Sequence, residues 1–69
     1  MNAHLTARQR QVLQLASEGL SNEEIAARIG LTDRHAVSSV FETVYRKLGV
    51  RQAREQAILI YLRGYDRAA

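Results

Sequence analysis

The sequence predicts an all-α domain of four short helices, on three observations. Glycines stand at 19, 30, 49 and 64, each just past an apolar stretch, where helices end. Two of the stretches open with a Ser or Thr followed three residues later by Gln or Glu, the signature of a helix start. Between residues 37 and 48 the apolar residues fall at 37, 40, 41, 44 and 48, which is one face of a helix and not the alternation of a strand.

The first helix is expected over about 7–18. Thr6 and Gln9 form a capping box in which the hydroxyl satisfies a backbone N–H that the helix leaves unpaired. Val12, Leu13 and Ala16 then point inward, and Gly19 stops the helix. Ser21 and Glu24 make the second box, Leu20 can staple onto Ile25, and a short helix over 22–29 ends at Gly30. The third helix is expected over 34–48, closed by Gly49, with Val50 folding back on its last turn.

The fourth helix, about 52–63, differs because Ala57, Ile58, Leu59, Ile60, Tyr61 and Leu62 are consecutive. A strand there would leave its ladder groups unpaired. A helix that is apolar almost all round is either wholly buried or shared with a second surface. Three short helices cannot enclose it, so a dimer interface is expected at Ala57, Ile58, Tyr61, Leu62 and Tyr65.

The chain has 69 residues, 46% of them apolar, enough for a single domain over 1–69 that buries about 60% of its unfolded surface. It has no cysteine, hence no disulfide and no thiolate zinc site, and self-association is the remaining way to add stability. No apolar run approaches the ~18 residues of a membrane span, and the start Met1-Asn2-Ala3-His4 lacks the parts of a signal peptide. A cytoplasmic protein without membrane contact is expected.

The net charge of +3 is unevenly placed. Residues 34 to 54 hold Arg34, Arg46, Lys47, Arg51 and Arg54 against Glu42 alone, while the rest of the chain is slightly acidic. A basic excess confined to one segment suits a phosphate-binding face as well as it suits a solvated one. An enzyme is not expected. The chain has no nucleophilic cysteine, no paired carboxylates in an apolar setting and no glycine-rich phosphate loop, and neither His4 nor His35 has metal-ligand spacing around it. No cofactor is implied.

A short helix, a glycine, a tight turn and a second amphipathic helix make a helix-turn-helix, in which the first helix braces and the second enters the major groove of DNA. Ala26 suits it, being small enough for the helices to approach. Leu5-Thr6-Ala7-Arg8-Gln9 with Val12-Leu13, Gly19-Leu20-Ser21-Asn22-Glu23-Glu24-Ile25-Ala26, Ile29-Gly30-Leu31-Thr32 and Lys47-Leu48-Gly49-Val50 resemble the LuxR/GerE (FixJ-type) DNA-binding domain. The resemblance runs from Leu5 to about Tyr61, and the Lys-Leu-Gly-Val ending is its most specific part. It implies a DNA-binding transcription regulator whose third helix reads double-stranded DNA and whose fourth pairs two subunits on a roughly palindromic site. With no receiver or ligand-sensing domain ahead of it, the chain looks like a stand-alone member.

Three departures qualify the resemblance. Relatives carry glutamate where this chain has Gln9, so an ion pair there becomes a hydrogen bond. One extra residue lies between Leu31 and Val37, which alters the turn among Thr32, Asp33, Arg34, His35 and Ala36. Ser38 stands where relatives place a lysine and Val40 where many place a histidine, and Glu42 adds an anion. Val40 is read as core. The DNA contacts left are Arg34 and His35 in the turn, Ser38, Ser39, Glu42 and Thr43 on the exposed face, and Arg46 and Lys47, with Arg51 and Arg54, near the end. Serine and threonine bond bases or phosphates with little discrimination. Glu42 can accept from a cytosine amino group, although a carboxylate near phosphates repels.

The competing reading is an interaction module that keeps the fold but uses the depleted third helix, or the apolar fourth, to grip another regulator or RNA polymerase. A likeness of residues 5 to 31 to the promoter-reading end of bacterial sigma factors suits it.

Overall fold

The first three helices begin where a side chain can take up orphaned backbone N–H groups. In the computed structural model, which describes residues 4–31, 33–51 and 53–64, both capping boxes are formed. Thr6 Oγ1 accepts from the Gln9 N–H at 3.1 Å while Gln9 Oε1 accepts from the Thr6 N–H at 2.8 Å. Ser21 Oγ accepts from the Glu24 N–H at 3.2 Å, and Glu24 Oε1 from the Ser21 N–H at 2.8 Å. These boxes start α1 (Ala7–Ser17) and α2 (Asn22–Ile29). Helix α3 (Arg34–Leu48) starts on Asp33, whose Oδ1 accepts from the His35 and Ala36 N–H groups at 2.9 and 3.2 Å.

Asp33 corrects the expected turn. With its carboxylate holding two N–H groups, Arg34, His35 and Ala36 already form the first turn of α3. Thr32 lies outside the described residues.

Gly30 and Gly49 end α2 and α3 in the left-handed conformation, at φ +78° and +74°. Each directs the next residue back: the Leu31 N–H reaches the Ala26 carbonyl, and the Val50 N–H the Tyr45 carbonyl, both at 3.0 Å. Leu31 and Val50 then pack against the core. Helix α4 (Arg54–Leu62) starts on Ala53 with no side-chain cap, two residues after the expected start, and Gln52 lies outside the described residues. The run from Ala57 to Leu62 is helical.

Helix α2 packs mainly on α3, and α1 mainly on α4, with α3 touching all the others. The core they enclose is Leu5, Val12, Leu13, Ala16, Ile25, Ala26, Val37, Phe41, Val44, Ala57 and Tyr61, with Leu20, Val40 and Leu48 packed at its edge. Val40 thus sits at the core margin as expected. Among the described residues there is no strand, no buried polar side-chain atom without a hydrogen-bond partner, no helix long and apolar enough to cross a membrane, and no cluster of metal-ligating side chains.

Candidate nucleic-acid interface

Helix α3 carries two parallel stripes with the same spacing. Val37, Phe41, Val44 and Leu48 point to the core, and His35, Ser39, Glu42 and Arg46, two residues out of step and so about 200° round the helix, are exposed. Arg34 is exposed at the helix start, just past the Asp33 cap. The outer stripe is polar along its length, and α2 braces the inner one through Ile25 and Ala26.

The remaining sequence-chosen contacts are partly occupied by the protein itself. Ser38 is half-buried, and its Oγ accepts from Asn22 Nδ2 at 3.3 Å, which turns it toward α2 and off the outer stripe. The Thr43 hydroxyl donates to the Ser39 carbonyl of its own helix at 3.3 Å. Lys47 Nζ donates to the His4 carbonyl and to Gln9 Oε1, both at 2.9 Å, tying the end of α3 to the start of α1. Gln9 thus makes the hydrogen bond expected in place of an ion pair.

Arg54 has a similar internal task. Its Nη2 donates to the Leu20 carbonyl at 2.8 Å and to Asn22 Oδ1 at 3.4 Å, and its guanidinium carbon lies 5.2 Å from the centre of the Phe41 ring. Asn22 accepts from Arg54 and donates to Ser38, so one network joins α2, α3 and α4. Tyr45 stands beside Phe41, ring centres 5.8 Å apart. Burial raises its hydroxyl above the ordinary pKa of 10.0, the Arg54 charge opposes that rise and the Glu42 charge adds to it.

The cations at the end of α3 therefore divide into two kinds. Lys47 and Arg54 hold backbone carbonyls, whereas Arg46 and Arg51 are exposed and line a shallow groove with Glu42, Tyr45 and Val50. Arg51 belongs with Arg46 at this surface more than Lys47 does. Its signal in the sequence is a basic residue placed two positions past the terminating Gly49.

The residues expected at a dimer interface also divide. Ala57 is fully buried and Tyr61 is 9% exposed, both in the chain's own core, and the Tyr61 hydroxyl donates to Gln14 Oε1 at 3.1 Å. Ile58 is half-buried against the core, and Leu62 is 49% exposed. Leu59, which the sequence did not single out for the interface, is 51% exposed and lies one turn from Leu62. Tyr65 lies outside the described residues.

Compared with known protein families, residues 3–61 match the family described as bacterial regulatory proteins, luxR family, which takes in nearly the whole of the four-helix unit. No curated protein and no solved structure gives a significant match.

Proposed function

The chain belongs to the luxR family of bacterial regulatory proteins, a family of DNA-binding helix-turn-helix regulators and not of enzymes, and on that premise we propose that it binds duplex DNA as a dimer with α3 in the major groove. The observation that carries this reading is the outer stripe of α3. A long polar face, braced from behind by α2 and with Arg46 and Arg51 at its end, suits a helix that enters the major groove between negatively charged phosphates. In this reading Arg34, Arg46 and Arg51 meet phosphates, and His35, Ser39 and Glu42 face base edges. Ser38, Thr43 and Lys47 support α3 from its flanks and touch DNA secondarily. The partner subunit docks on the exposed Leu59 and Leu62 of α4, with Ile58 at the rim. A regulator acting on the chromosome works in the cytoplasm.

A salt titration of binding to random duplex and to the region upstream of the protein's own coding sequence tests it. The expected result is binding to both that weakens steeply with salt, with the upstream region retained to higher salt. Absence of binding to either at low salt overturns it.

The exposed Leu59 and Leu62 favour one second reading, in which this apolar face holds another regulator or RNA polymerase in place of a second copy. The two readings part on the assembly of the purified chain: dimers support the first, monomers the second.

A further inference from the structure

The outer stripe of α3 holds four side chains of different hydrogen-bonding character. Arg46 only donates, His35 and Ser39 can donate or accept, and an ionised Glu42 only accepts. Glu42 stands between Ser39 and Arg46, near the middle of the exposed face. Ser38 is turned to Asn22, and Val40 packs on the core. Glu42 is thus the one anion of the stripe expected to approach the most negative of ligands.

An acceptor-only group in the major groove is selective by elimination. Guanine presents N7 and O6 and thymine presents O4, all acceptors that repel a carboxylate. Adenine offers its N6 amino group beside the N7 acceptor, which opposes the second carboxylate oxygen. Cytosine offers its N4 amino group with an acceptor on one side only, the paired guanine's O6, whereas adenine's N6 lies between its own N7 and the paired thymine's O4. Phosphates meanwhile repel Glu42 on every sequence, an effect that physiological salt screens only beyond ~8 Å. The repulsion is general and the compensation is specific.

We infer that Glu42 is a specificity-determining residue of this domain, accepting a hydrogen bond from the amino group of a cytosine and weakening binding wherever that cytosine is missing. The inference rests on α3 entering the major groove as proposed above. It makes the loss of a positive reading face a gain in discrimination: the protein binds random DNA less well, and its preferred site stands out further.

Selection of bound sequences from a randomised duplex pool tests it, using wild type, Glu42→Ala and Glu42→Gln, with circular dichroism to check that the helices persist. Wild type is expected to enrich cytosine at one position of each half-site. Glu42→Ala should lose about tenfold of preference at that position alone and bind random duplex more tightly. Glu42→Gln should shift the preference toward adenine, whose N6 and N7 match an amide. An unchanged preference in Glu42→Ala, a flat selection by wild type, or enrichment of another base at that position in wild type overturns the inference while leaving DNA binding intact. Wild type that binds no duplex at low salt removes both the inference and the reading it rests on.

Discussion

Two neighbouring cations on α3, Arg46 and Lys47, show how much depends on where a side chain finds its partner. Nothing in the sequence separates them, since both are basic, adjacent and near a helix end. The structure gives Lys47 two acceptors, the His4 carbonyl and Gln9 Oε1, and leaves Arg46 exposed beside Arg51. Arg46→Ala is expected to lower the salt dependence of DNA binding by about one unit with little effect on thermal stability. Lys47→Ala should lower the melting temperature first, because it strips two acceptors of a charged donor, a loss of about 1–2 kcal/mol in all for one exposed and one part-buried bond. Parallel salt titrations and thermal melts of the two variants check this, and a reversed pattern would reassign the phosphate contact to Lys47. Arg54 was equally opaque in the sequence. Its principal acceptor is a backbone carbonyl of Leu20, and a carbonyl has no residue type by which it can be recognised in advance.

Helix boundaries were legible because caps are local. Thr6 with Gln9 and Ser21 with Glu24 are read from spacing alone, and both pairs are formed. Helix α4 was the hardest, since Ala53 offers no capping side chain and the apolar run has no period. Its division into a covered and an open side depends on where α1 lies, which is a tertiary matter. The cap of α2 also sets a pH dependence. Hydrogen bonds from the Ser21 backbone and side chain, with the nearby Arg28 charge a smaller aid, hold the Glu24 carboxyl below its ordinary value of 4.5. A carboxylate whose pKa falls on folding stabilises the folded state above its unfolded pKa and loses that contribution as pH falls through the folded one. Glu24→Gln should therefore show a shallower loss of stability from about pH 4.5 downward than wild type, in urea denaturation at stepped pH. Equal slopes would mean that the cap gains nothing from ionisation.

For the whole molecule the open side of α4 is the main uncovered apolar surface among the described residues. The sequence pointed to this helix but mixed core and surface positions, because periodicity is erased when six apolar residues run together. Leu59→Arg and Leu62→Arg change exposed positions, so each should leave the fold intact and convert dimers to monomers, whereas Ile58→Arg would also disturb the core. Sedimentation velocity of the two exposed-site variants checks it, and unaltered dimers in both would place the subunit contact elsewhere. The hydrogen bond from Tyr61 to Gln14 joins residues 47 positions apart, so the first and last helices are clasped by contacts that only a chain already doubled back can make. Helices α2 and α3 meet across a short turn, at a much smaller entropic cost of loop closure. In kinetic terms loop closure favours a pair presenting the polar stripe that forms before the α1–α4 seam closes, an order that φ-values at Ile25 and Ala57 would check.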